Sequence, residues 1–404
     1  MKKNKEIIFI SPYPRKYKES VDFSALATYS KVLLSILEKK IRQQIVVFAQ
    51  VEKQETGYTD NNVLIEHIWK RNSFFYIFQI WKNAIKYSAK TVHIQQEVYC
   101  YGNIISAYLL IILEILLRLS GKKVIITIHG VLPIKKLDEN FVKNNGFNCP
   151  LFFVRIALYI LFRYLSLSAN KVIVHNENLK RLLVTDYKID PKKISVIPIP
   201  LFCFPKGQIK SKILHKEISD HKKVILFFGF LAKYKGLETL INAMRYFNLD
   251  KNDCLLLIAG NAPKRLRNDK EHIDWIDALK KRSLKISKNI IWDHRYIPDE
   301  ELKDYFNNTS IIIFPYTESI SSSGPVTFAV KYKIPFLISG VFKNIINRDL
   351  IYGKTEKDLA TSLNKFFEDK NYRDKIDMAV KNQAQEWSNK KISSKTTKIY
   401  QSIK

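Results

Sequence analysis

Residues 310–339 read SIIIFPYTESISSSGPVTFAVKYKIPFLIS, and they set one carboxylate, Glu318, and the cluster Ser321, Ser322, Ser323, Gly324 between two apolar segments. Ile311–Phe314 suits a strand buried on both faces, and Pro315 ends it. Pro325 stands where the first turn of a helix tolerates proline, and Val326, Phe328, Ala329 and Val330 recur on the expected buried side. Residues 334–338 then return to the sheet. Small residues at such a helix start leave N–H groups free, and these together with the helix dipole favour an anion. An ordinary βα loop with a serine cap has the same composition.

A second stretch, FFGFLAKYKG at 227–236, places Lys233 and Lys235 two residues apart between Gly229, where a strand ends, and Gly236, where a helix opens. Glycine lets the backbone approach a ligand closely, and a lysine ammonium is a natural phosphate partner. Lysines in βα loops are also common without any ligand. The P-loop and dinucleotide fingerprints are both absent. So are an Asp-x-Asp pair, any His/Cys/Asp cluster with metal spacing, and a Gly-x-Ser-x-Gly elbow.

The elements that must position these residues alternate along the chain. Strands are expected at Ile7–Ile10, 45–49, 91–95, 124–128, 171–175 and 195–197, with helices through Leu26–Leu37, 74–85, 104–119 and 151–167 between them. Residues between 49 and 74 read as a polar link. Pro198 and Pro200 break the pattern, and 201–223 reads as a linker. The alternation resumes with strands at 224–228, 254–258 and 289–291 and helices at 237–247, 274–284 and 299–306. Two doubly wound parallel-sheet domains are expected, 1–200 and 224–380, with ligands at the carboxyl ends of the strands and in the cleft between them.

The 404 residues carry 67 Lys and Arg against 38 Asp and Glu, a net charge of +29. Nucleic acid, anionic lipid or phosphorylated small molecules would match that charge, as would a general lysine bias. No aromatic-interleaved basic motif or zinc module supports a nucleic-acid partner. The helix at 104–119 is interrupted by Glu114 and Arg118, and that at 151–167 by Arg155 and Arg163. Arg155, Tyr159 and Arg163 share a stripe, so the second is either a buried helix or an interfacial one with arginines at lipid headgroups. Cys100, Cys149, Cys203 and Cys254 form no Cys-x-x-Cys pair and read as free thiols. The run after MKKNKE is too short for a signal peptide, so a cytoplasmic protein is expected, peripheral on the inner face of the membrane.

In order and spacing, the segments FFGFLAKYKGLETLINAM, LLLIAGNAP and HRYIPDEELKDYFNNTSIIIFPYTESISSSGPVTFA resemble the nucleotide-sugar domain of family 4 retaining glycosyltransferases. TVHIQQEVYCYGN, VIITIHGVLP and ANKVIVHNENLKRLL with KISVIPIP resemble their acceptor domain. The resemblance spans nearly the whole chain. It implies the GT-B fold, two Rossmann-like domains facing a cleft, with the segment 381–404 crossing back onto the first.

It further implies that the donor diphosphate is held by Gly229, Lys235, Ser322, Ser323 and Gly324. Lys233 would supply the charge of the family's arginine, whose place Phe230 takes. The backbone of Ile297 would recognise the base. His129 would face the transferred sugar and Glu318 the donor sugar, with Glu97 and Tyr13 on the acceptor side. The family's second glutamate is replaced, eight positions after Glu318, by Val326. The activity implied is metal-independent, cofactor-free transfer of a sugar, with retention, to a polysaccharide or lipid-linked acceptor. A non-catalytic scaffold or partner subunit of the same fold is the alternative that the missing glutamate and arginine suggest.

Overall fold

The structure is a computed structural model describing residues 3–14, 25–51, 57–139, 142, 149–202, 218, 223–263, 266–318 and 323–403. Its contacts divide it into two units, Met1–Pro200 with Ser388–Lys404, and Leu201–Ser319 with Ser323–Trp387.

In the first unit, β1 (Ile7–Ile10), β2 (Ile45–Gln50), β3 (Tyr58–Asp60), β4 (Val63–Trp69), β5 (Thr91–Gln96), β6 (Lys123–Ile128), β7 (Lys171–Val174) and β8 (Ile194–Val196) form one sheet. Its order is β3-β4-β2-β1-β5-β6-β7-β8. Only β3 runs antiparallel to its neighbour. Every residue of β1 and β5 is buried, as helices on both faces of a parallel sheet require. Alternate residues serve the two faces. Ile8, Ile10, Val92 and Ile94 pack with α3 (Tyr76–Ala84), α4 (Ile104–Leu119) and α5 (Leu151–Ser168). Phe9 and His93 point the other way, toward Tyr400 of the final helix. That side also carries α1 (Ala25–Ile36), while α2 (Lys39–Gln43) and α6 (Glu177–Thr185) complete the unit.

The polar link expected after β2 is in fact the β3–β4 hairpin. Asn61 and Asn62 take φ of 48° and 68°, the two left-handed residues of a tight hairpin turn, and Asp60 pairs with Val63.

In the second unit, β9 (Lys223–Phe228), β10 (Cys254–Ala259), β11 (Ile290–Asp293), β12 (Ile311–Phe314) and β13 (Phe336–Ile338) form a wholly parallel sheet ordered β11-β10-β9-β12-β13. Its helices are α7 (Leu237–Ala243), α8 (Lys270–Ile286), α9 (Asp299–Asn307), α10 (Gly324–Tyr332), α11 (Glu356–Glu368) and α12 (Lys370–Glu386). The chain builds outward from β9 to β11, then returns to lay β12 on the other side of β9. Strand order therefore reverses between β9 and β12, where open α/β sheets bind ligands.

The last helix, α13 (Asn389–Ser402), belongs to the first unit. The change of unit comes at Ser388, just before α13, whereas residue 381 lies inside α12. Of the expected linker, 203–217 and 219–222 lie outside the described residues, while Leu201 and Ile218 pack into the second core.

Helix α5 is long and apolar enough to cross a membrane, yet Val154, Leu158, Leu161, Phe162 and Leu165 are buried in the core of the first unit. Its arginines are half-buried and tied to backbone carbonyls. Arg155 donates to the Leu137 carbonyl at 2.5 Å, and Arg163 donates to that of Tyr187 at 2.9 Å while lying 5.7 Å from the Tyr159 ring centre. Carbonyls left open at nearby loop ends attract these guanidinium groups.

Candidate active site

The loops that follow β9 and β12 meet at the point where strand order reverses. Gly236 has φ 71°, and a Cβ on it would lie 1.8 Å from the Pro315 carbonyl oxygen, so only glycine permits this approach. Thr317 N–H closes the contact by donating to the Tyr234 carbonyl at 2.9 Å. The turn thereby drives Lys235 inward, to 6% exposure. Its ammonium donates to Tyr316 Oη at 2.7 Å, 3.9 Å from the centre of that ring, with the Tyr234 ring centre at 5.2 Å. Burial pushes the ammonium down to about 8. Among the described residues no carboxylate pairs with it, so a cation sits buried with only aromatic faces and a hydroxyl to stabilise it.

Tyr316 Oη also lies 2.8 Å from Ser323 Oγ. Ser323 occupies the cap position of α10, but its hydroxyl is held by Tyr316 and caps no N–H of the helix. The first-turn N–H groups of Gly324 and Val326 therefore lack an intrahelical partner, and among the described residues nothing beyond its chain neighbours lies within 4 Å of where a Gly324 side chain would start. A buried ammonium and an uncapped helix N-terminus, linked through one tyrosine, form a site for a multiply charged anion.

The remaining residues expected on the donor side divide. Gly229, with φ 134°, ends β9 against Pro325 of α10. Lys233 is not brought to Lys235: it is exposed and bridges the exposed Glu271 at 2.6 Å. A 3-10 turn over Lys233–Lys235 sends the two lysines in different directions. Ser322 lies outside the described residues. Glu318 is exposed in the loop after β12, and Val326 is buried on α10. Ile297 is buried in the loop after β11, and its own peptide N–H and C=O carry no intramolecular hydrogen bond among the described residues.

That loop is held by a network outside the expected set. Arg295 forks onto Glu301, with Nη1 3.1 Å from Oε1 and Nη2 2.5 Å from Oε2, and its Nε reaches Asp293 Oδ1 at 3.0 Å. Tyr305 completes it, accepting from Arg295 at 3.0 Å and donating to Asp293.

In the first unit, His129 follows β6 as the end of a buried chain of imidazoles. His175 Nδ1 lies 2.9 Å from the Ile197 carbonyl and so carries a proton, leaving Nε2 to accept from His129 Nδ1 at 3.0 Å. His129 Nε2 is then an acceptor, and the Gln95 amide stands 3.0 Å from it and 3.0 Å from His93 Nε2. As placed, Gln95 turns Oε1 to His129 and its amide nitrogen to His93. These tautomers require the amide turned over, so that Gln95 donates to His129 and accepts from His93 Nε2, which also lies 2.8 Å from Thr127 Oγ1, while Tyr400 Oη donates to His93 Nδ1 at 2.8 Å. All three rings are neutral in this arrangement. Burial favours that state, holding His93 near 3, His175 near 4 and His129 well below its ordinary value. His129 is thus a fixed neutral ring with both nitrogens engaged.

Tyr13 does not lie open for an acceptor. It is 2% exposed, its N–H is held by Gln50 Oε1 at 2.9 Å, and its hydroxyl donates to Asp60 Oδ2 at 3.1 Å, tying the loop after β1 to the hairpin. Glu97 is exposed just beyond β5. Sequence reading passed over Gln95 and His175, although Gln95 shares with His93 the two-residue period of one strand face. Among the described residues no three His, Cys, Asp or Glu side chains cluster as a metal site would need.

Two family profiles match the chain in tandem: Glycosyltransferase Family 4 over residues 44–200 and Glycosyl transferases group 1 over residues 210–383. No curated protein sequence matches. Among solved structures the chain is similar to HepE from Anabaena in complex with UDP and glucose, at 12% identity, covering 98% of this chain and 100% of that one, with a TM-score of 0.68. It is similar to the UDP-forming α,α-trehalose-phosphate synthase of Burkholderia vietnamiensis, at 11% identity, 99% of each chain and a TM-score of 0.70. A glycosyltransferase from Rickettsia africae gives 17% identity, 99% of each chain and a TM-score of 0.64. At such identities the structural likeness speaks for the fold, and the family profiles for the kind of protein. The chain is a glycosyltransferase of the GT-B type, built of a Family 4 domain followed by a group 1 domain.

Proposed function

We propose that the chain transfers a sugar, with retention, from a nucleoside-diphosphate sugar to a polysaccharide or lipid-linked acceptor at the cytoplasmic face of a membrane. The observation that carries this reading is Lys235, a buried ammonium without a carboxylate partner among the described residues, beside the uncapped start of α10. The donor diphosphate supplies the missing anion. HepE holds UDP in its crystal structure, which supports a uridine nucleotide as the donor here.

In the proposed reaction the bond from the anomeric carbon to the diphosphate oxygen breaks, and its electron pair stays on the diphosphate. The acceptor oxygen bonds the anomeric carbon on the same face and passes its proton to the leaving phosphate. Lys235 and the N–H groups of Gly324 and Val326 stabilise the charge that develops, and their fixed positions avoid reorganisation. No metal has a part in this scheme. Ile297 offers its free peptide groups to the base, and Glu318 the donor sugar a carboxylate. The first unit takes the acceptor, with Glu97, and contributes His129 to the transfer. Tyr13 shapes its loop on the acceptor side through Gln50 and Asp60.

The non-catalytic alternative draws on Lys233, which pairs with Glu271, and on Val326 in place of a second carboxylate. One assay separates the two. Incubated with uridine-diphosphate sugars, a lipid-linked acceptor and a metal chelator, the protein is expected to release UDP and form a product of unchanged anomeric configuration. His129→Ala and Glu318→Ala are each expected to lower that rate by roughly a hundredfold while the protein stays folded. No UDP release from any donor would leave the scaffold reading standing.

A further inference from the structure

Helices α3, α4 and α5 lie side by side on one face of the first sheet, and their outer sides carry large apolar side chains as well. Among the described residues of this unit, fourteen of the fifteen large hydrophobic side chains that are exposed belong to these helices or their ends, so they form a face and are not scattered singly. Leu119 is 81% exposed, Phe75 70% and Phe152 66%, with Phe153, Ile112 and Ile115 between them on α5 and α4. The only carboxylate on the three helices, Glu114, is turned inward and accepts a hydrogen bond from Ser168. Exposed Lys82, Lys86 and Arg118 flank the apolar side chains.

We infer that this three-helix face is the surface by which the protein docks on an anionic lipid leaflet. An apolar, aromatic-bearing face edged by cations and without an exposed carboxylate complements hydrocarbon beneath negative headgroups. A second copy of the chain is a poorer occupant, because a two-fold interface would set the same cationic edge against itself. The helices lie along the leaflet and do not cross it: the inner stripe of α5 is committed to the core of the unit. The inference deepens the proposed function by naming the surface that brings the first unit to a membrane-borne acceptor, and it rests on that reading for its biological sense only.

The test is flotation of the full chain with vesicles of phosphatidylcholine alone and of phosphatidylcholine with phosphatidylglycerol. Wild type is expected to float with the anionic vesicles, less so at high salt, and weakly with the neutral ones. The double variants Ile112→Ser/Leu119→Ser and Phe152→Ser/Phe153→Ser are each expected to lower partition by roughly tenfold or more. Titration with UDP reads the second unit separately, and both variants are expected to match wild type there, so the two proposals fail independently. Variants that float as wild type does would overturn the inference. So would a wild type that ignores both vesicles, or one whose light scattering shows a dimer that both double variants dissolve.

Discussion

Lys235 and Lys233 show how much two positions can matter. Both were expected at the diphosphate, and composition alone cannot separate them. A left-handed Gly236, forced by the Pro315 carbonyl, turns one ammonium under Tyr316 and leaves the other in solvent with Glu271. His129 was likewise legible as a residue after a strand, but its protonation state depends on partners distant in sequence. The Ile197 carbonyl, through His175, makes His129 an acceptor at Nε2, and Tyr400, 307 positions from His93, ends the chain on the other side. His175 acts through His129 as a positioning residue. His175→Ala is expected to lower kcat roughly tenfold with UDP binding unchanged, and His175→Gln, whose amide oxygen can still accept from Nδ1, to recover most of the loss. Equal losses in the two variants would contradict the tautomer assignment.

At the scale of elements, long buried strands were easy to read because sheets covered on both faces demand unbroken apolar runs. The β3–β4 hairpin was passed over because it lies at the sheet edge with half-exposed residues, although Asn61-Asn62 is a recognisable turn pair. On α5, sequence places Arg155 and Arg163 on one stripe but cannot say that each would be tied to a backbone carbonyl. Glu114 of α4 is wholly buried, and that burial pushes its carboxyl from 4.5 up to about 8. The folded protein thus keeps this proton to about pH 8, while the unfolded chain releases it near 4.5. Stability from this group is therefore full below the lower value and falls as pH rises toward the upper, by up to about 1.4 kcal/mol per unit. Glu114→Gln is expected to flatten that dependence, raising the melting temperature at pH 8 more than at pH 5. An equal shift at both would show that the carboxyl is ionised when folded.

At the scale of the whole molecule, two sheets of the same plan carry different sites at their carboxyl ends. The first ends in a neutral imidazole chain, the second in a buried ammonium bonded to a tyrosine and an uncapped helix. The central claim is that this second site exists to hold a diphosphate, and calorimetric titration of UDP into wild type and Lys235→Ala tests it most directly. The account predicts that wild type binds UDP most tightly near pH 7, roughly twofold more weakly at pH 8 and progressively less above that, as the free ammonium loses its proton. The phosphate itself is already fully ionised over that range, since its second proton leaves near pH 6. Lys235→Ala is predicted to bind at least roughly tenfold more weakly and to lose the pH dependence. Equal affinity of the two proteins for UDP across that range would contradict the account.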